Sequence, residues 1–153
     1  MKRTIATITA LLLTAPAFAT GDADKGAKTF KKCKSCHMIV SDDGETIAKG
    51  GRTGPNLYGV VGRTAGSVDG FKYGKDLMAA GENGLIWTEE TLTEFVQDPR
   101  AYLRSYLDNS KAKSKMTLKL KKGADDIFAY LVSVGPELPA ADDDGATTQT
   151  TSD

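Results

Sequence analysis

The chain has 153 residues, 40% of them hydrophobic, with 20 basic side chains balanced by 20 acidic ones. That length suits one small domain. A formal charge of zero argues against a nucleic-acid surface, which would need a basic stripe.

Lys2 and Arg3 precede an apolar run from Ile5 to Leu13, and Ala17-Phe18-Ala19 sets small residues where a signal peptidase reads them. The pattern predicts a secretory signal over residues 1–19, cleaved after Ala19, and hence export. As a membrane anchor the run is short, because a span needs about 20 apolar residues. Losing Lys2 and Arg3 leaves 18 basic residues against 20 acidic. The stretch from Pro136 to Asp153 carries five acids and no base, so residues 20–135 hold 18 basic against 15 acidic. The expected organisation is a signal, one mildly basic domain over 20–135, and an acidic, disordered tail over 136–153.

Asp22 is placed to cap a helix beginning at Ala23, with Ala27 and Phe30 on one face. That helix leads into Cys33-Lys34-Ser35-Cys36-His37, which holds both cysteines and the only histidine of the chain. C-x-x-C-H is the spacing of c-type haem attachment. On one helical turn two thiols face the two vinyl edges of a haem, and the next residue offers an imidazole to the iron. A structural zinc site needs about four Cys or His ligands, and three are present. A thiol-disulfide oxidoreductase expects a βαβ context, and no strand-helix-strand pattern follows. A disulfide between Cys33 and Cys36 would close a loop too short to brace anything.

Between Met38 and Gly70 lie eight of the 16 glycines, which predicts irregular loop. Thr88, Glu89 and Glu90 open a helix carrying Leu92, Phe95 and Val96, ended by Asp98-Pro99. Pro99 starts a shorter segment with Tyr102, Leu103, Tyr106 and Leu107. Six lysines between Lys111 and Lys122 mark a weakly structured stretch. A last helix runs from about Ala124 to Val134, with Ile127, Tyr130, Leu131 and Val134 facing inward, and Gly135-Pro136 stops it. The fold class expected is all-α, with several helices and long loops around a haem that supplies the missing apolar mass.

An electron-carrying haem wants a thioether sulfur on its second face. Met1 leaves with the signal, and Met38 adjoins His37. Met78 lies between glycine-rich segments and suits packing. Met116, in the lysine-rich stretch ahead of the last helix, is the candidate.

From Asp22 to Gly135 the chain resembles a class I cytochrome c, and in particular the longer periplasmic cytochromes of proteobacteria. Beyond the attachment motif the resemblance rests on Thr53-Gly54-Pro55-Asn56-Leu57-Tyr58-Gly59, Gly62-Arg63, Phe71-Lys72-Tyr73, Trp87 to Leu92, Lys115-Met116 and Ile127 to Leu131, in that order. It implies the class I cytochrome c fold and one haem c attached covalently through Cys33 and Cys36, with His37 and Met116 on the iron. It also implies that the Pro55 carbonyl accepts a hydrogen bond from His37, and that Arg63, Tyr73, Trp87 and Ser114 hold a haem propionate. A buried carboxylate needs such donors. Gly26 and Tyr130 resemble the pair at which first and last helices cross. Phe95 stands where many relatives have a tyrosine that contacts the methionine sulfur, and the interval from Tyr102 to Met116 is longer than in mitochondrial cytochromes.

The function so implied is a periplasmic, monomeric electron carrier and not an enzyme. It would take electrons from a membrane cytochrome bc complex and pass them to a terminal oxidase, a nitrogen-oxide reductase or a photosynthetic reaction centre, through transient complexes and with no nucleic-acid partner. Lys31, Lys32, Lys34, Lys111, Lys113, Lys115 and Lys119 would form a basic ring that steers acidic partners. The alternative is a haem enzyme or gas sensor whose distal iron site is open.

Overall fold

The computed structural model describes residues 20–138, so the signal and nearly all of the acidic tail lie outside the described residues. Five α-helices follow in chain order: α1 Ala23–Thr29, α2 Lys75–Glu82, α3 Glu89–Gln97, α4 Pro99–Tyr106 and α5 Ala124–Val134. The all-α expectation holds. Two short strands, β1 Ile39–Val40 and β2 Thr46–Ala48, pair antiparallel with Ile39 opposite Ala48.

Helix α1 starts where expected, because the Asp22 carboxylate accepts the Lys25 N–H at 3.0 Å and so satisfies one of the free donors of a first turn. It tightens into a 3-10 turn over Phe30–Lys32 that delivers Cys33. The buried face is Gly26 and Phe30, while Ala27 is exposed, contrary to the sequence reading. Gly26 faces α5 because a Cβ there would stand 1.9 Å from the Asp126 carbonyl oxygen and 2.6 Å from Tyr130 Cβ. The absent side chain is what lets the two helices cross. The rings of Phe30 and Tyr130 then meet at 5.4 Å, and the Asp22 N–H donates to the Asp126 carboxylate at 2.9 Å.

Thr88 caps α3 through a reciprocal box with Thr91, as the Thr-Glu-Glu start suggested. Asp98 ends α3 and caps α4 by accepting the Ala101 N–H at 3.1 Å, with Pro99 at the first helical position. Helix α2 was not legible in the sequence. Its cap is Gly74, which offers no side-chain acceptor, and Gly81 sits within its last turn. Met78 on this helix points outward and is 45% exposed, so it packs against little and takes no part in the interior.

The glycine-rich stretch is mostly loop, with β1 and β2 as an unanticipated hairpin. Asn56 pins that hairpin: its side chain accepts the Val40 N–H at 3.0 Å and donates to the Val40 carbonyl at 2.6 Å. The largest fully buried side chains are Phe30, Ile39, Leu85, Leu103 and Pro99. The loops between β2 and α2 and between α4 and α5 enclose the site together with residues of α3 and α5.

Candidate haem site

Residues 33–37 form one helical turn. The Cys36 N–H donates to the Cys33 carbonyl at 3.1 Å and the His37 N–H to the same oxygen at 2.9 Å. The turn therefore presents two thiols and an imidazole at the spacing the motif implied. The segment after β2 lies across it, with the Gly51 N–H donating to the Lys34 carbonyl and the Gly54 N–H to the Cys36 carbonyl, both at 2.8 Å. Pro55 then offers its carbonyl oxygen to His37 Nδ1 at 2.9 Å. Because a carbonyl can only accept, Nδ1 carries the proton and Nε2 keeps its lone pair.

An apolar cavity of about 470 Å³ opens beside this turn. The residues expected at the haem line it: Cys33, Cys36, His37, Pro55, Arg63, Tyr73, Trp87, Ser114 and Met116. They come from separate parts of the chain and converge only through folding. Leu57, Val60, Leu77, Leu92, Phe95 and Leu131 supply the apolar walls. Phe95 packs its ring on Trp87 at 4.9 Å and on Tyr102 at 5.8 Å, so the position that differs from many relatives is filled by carbon alone.

The donors fit a haem c. Arg63 donates from its two terminal nitrogens to the carbonyls of Tyr58 at 3.0 Å and Asn56 at 3.1 Å, and it forms no ion pair with an acid among the described residues. Burial lowers its pKa, as expected for a cation short of water. A carboxylate from a propionate would meet this half-buried charge. Tyr73, whose phenol burial pushes up, offers a further donor. Ser114 Oγ accepts the Met116 N–H at 3.1 Å, which leaves the hydroxyl hydrogen free to donate.

The sulfur atoms differ in character. Burial raises the Cys33 thiol to about 11, whereas hydrogen bonds from Thr53 and Ser35 hold the exposed Cys36 thiol below its ordinary value. Burial lowers the His37 pKa, opposed by the bond to Pro55, so the imidazole is neutral and fit to ligate metal.

Lys32, Lys113 and Lys115 stand at the cavity edge. Lys31, Lys34, Lys111 and Lys119 are exposed as well, but Lys119 is bound to Asp98 at 2.6 Å and brings less field than the others. Sequence reasoning missed Asn56, which ties the β hairpin to Arg63, and Thr53 beside Cys36. Both lie inside the Thr53–Gly59 block, where polar residues flanking a Gly-Pro pair were the available signal.

No protein-family model matches the chain. It shares 62% identity over 135 residues with cytochrome c-551 of Roseobacter denitrificans, covering 88% of this chain and 96% of that protein. With cytochrome c2 of Rhodobacter capsulatus it shares 56% over 131 residues, covering 86% and 95%. The solved structure of cytochrome c2 from Rhodobacter capsulatus superposes with a TM-score of 0.73 at 55% identity, over 74% of this chain and 98% of that one. That of cytochrome c2 from Paracoccus denitrificans gives 0.75 at 50%, over 77% and 99%.

Proposed function

The chain belongs to the class I c-type cytochromes, and from that premise we propose that it is a soluble, monomeric, periplasmic carrier of single electrons and not an enzyme. The observation that carries the reading is the convergence of two thiols, one neutral imidazole and one thioether sulfur on a single apolar cavity. Haem c, when bound, supplies an iron that exchanges one electron with little rearrangement. The chain's residues do the rest. Cys33 and Cys36 would hold the group by thioether bonds, and His37 Nε2 would ligate its iron, the ring kept oriented and electron-rich by the Pro55 carbonyl. Met116 would supply a thioether sulfur to the iron, which favours the reduced state and raises the potential. Arg63, Tyr73, Trp87 and Ser114 balance a propionate.

With His37 and Met116 both holding the iron, oxygen and substrate would find no site there, and the chemistry would be electron transfer alone. The donor is a quinol-oxidising membrane cytochrome bc complex, and the acceptor is a terminal oxidase, a nitrogen-oxide reductase or a photosynthetic reaction centre. The exposed lysines at the cavity edge steer acidic partners into transient complexes. The test is to add the purified protein to membranes stripped of soluble cytochromes. Restored quinol-driven oxidation through the bc complex and a terminal acceptor supports the reading. A lack of stimulation, with rapid carbon monoxide binding by the reduced protein at neutral pH, favours the open-site alternative.

A further inference from the structure

Met116 sits on a strap with no helix or strand of its own, so its position depends on what holds residues 113–120. After the methionine, the Leu120 N–H donates to the Val96 carbonyl at 2.8 Å, and Lys119 pairs with Asp98. That pair is open to water, with Lys119 50% and Asp98 29% exposed, and exposed pairs contribute little. Before the methionine, the exposed Lys115 ammonium donates to the Lys72 carbonyl at 2.8 Å. The remaining tether is of another kind. The Lys113 N–H donates to Asp76 Oδ2 at 2.9 Å, and Asp76 is only 9% exposed.

A carboxylate withdrawn from water is costly unless it is bonded. A hydrogen bond to a charged acceptor is about twice as strong as a neutral one. Asp76 lies in the first turn of α2, where the helix dipole favours its charge. The strap residue just before Lys113 is fixed too: Ala112 is 1% exposed and its carbonyl accepts from Arg104 Nε of α4 at 3.3 Å. Helices α2 and α4 thus grip the strap from its N-terminal side.

We propose that Asp76 is a positioning residue for the axial methionine, its buried carboxylate fixing the strap so that the Met116 sulfur stays at the iron. This rests on the reading of Met116 as a ligand. Nothing in the attachment motif or the lysine-rich stretch requires it, and it assigns a redox-site role to a residue 40 positions upstream of the sulfur.

The test uses the haem-loaded ferric protein titrated with imidazole, which reaches the iron only when the sulfur leaves. Asp76→Ala is expected to tighten imidazole binding roughly tenfold or more and to weaken the red absorption band of sulfur-bound ferric iron in parallel. Asp76→Asn keeps an oxygen acceptor but loses the charge, and is expected to fall between wild type and Asp76→Ala. Lys113→Pro removes the donor and leaves Asp76 in place, so it must act in the same direction as Asp76→Ala even where the alanine variant yields no folded protein. Phe128→Leu, buried but away from the cavity, is expected to lower the thermal midpoint without changing imidazole affinity. Wild-type affinity in Asp76→Ala or Lys113→Pro overturns the proposal, as does tightening in Asp76→Asn or Phe128→Leu equal to that in Asp76→Ala. A wild-type protein that lacks the red band overturns the ligand assignment itself, and does so before any variant is made.

Discussion

Gly54 lies flat against the imidazole of His37: a Cβ at this position would stand 2.4 Å from Cε1, 2.6 Å from Nδ1 and 2.7 Å from Nε2. The next residue, Pro55, accepts the ring's Nδ1–H at 2.9 Å. The glycine permits contact and the proline carbonyl uses it to orient the ring. Gly54→Ala must therefore displace either the imidazole or the segment that holds it. The expected loss is about 1–3 kcal/mol of unfolding free energy, read as a lower denaturant midpoint by haem absorbance and by far-ultraviolet circular dichroism.

The cavity predicts how the chain behaves before the haem is attached. Without haem the 470 Å³ apolar slot stands open, so its walls lose the burial that a core this small depends on. Small domains have about 5–15 kcal/mol in total. The protein made without haem, or with both Cys33 and Cys36 replaced by alanine, is expected to show no cooperative thermal transition. A sharp transition in that material would contradict the account.

Asp98 gives a pH signature. The Lys119 ammonium, and then the Ala101 N–H, hold its carboxyl below the usual carboxylate range. An acid whose folded pKa is depressed contributes stability above its unfolded value of about 3.9 and loses it as pH falls through the lower folded value. Lys119→Met should raise the Asp98 pKa in a carbon-detected carboxyl titration. The stability difference between variant and wild type should be present near neutrality and vanish well below pH ~4. A difference that persists in acid would mean that the Lys119 side chain acts through packing instead.

Charge at the cavity edge should appear in the kinetics. Raising ionic strength from about 0.01 to 0.15 M shortens the screening length from roughly 30 to 8 Å, and the second-order rate with a membrane oxidase should fall steeply. Lys32→Glu and Lys113→Glu should lower the low-salt rate more than Lys119→Glu, because Lys32 and Lys113 line the cavity and Lys119 does not. A flat salt profile would remove the steering role.

Local rules carried much of the fold. Asp22, Thr88 and the Asp98-Pro99 pair each mark a helix start by satisfying backbone donors, and α5 runs over the residues its periodicity gave. The residues ringing the cavity were legible because the attachment motif is compact and the other blocks follow it in a fixed order. What escaped depended on contacts distant in sequence. Helix α2 has neither a capping side chain nor a long apolar stripe, and it is held by packing against α4. The β hairpin hides among glycines because Asn56, 16 residues after Val40, completes it. Ala27 was misjudged since Gly26, with no side chain to show in a hydrophobic pattern, is the residue that meets α5.

The proposed carrier depends on an iron held on both faces by protein, by His37 and Met116. It is tested most directly by comparing the ferric absorption spectrum and midpoint potential of wild type with those of Met116→Leu, which keeps the volume and removes the sulfur. Expected are a weak red sulfur-to-iron band in wild type, its loss in the variant, and a lower potential, within the span of roughly 0.8 V that axial ligands set. A variant whose band and potential match those of wild type would contradict it.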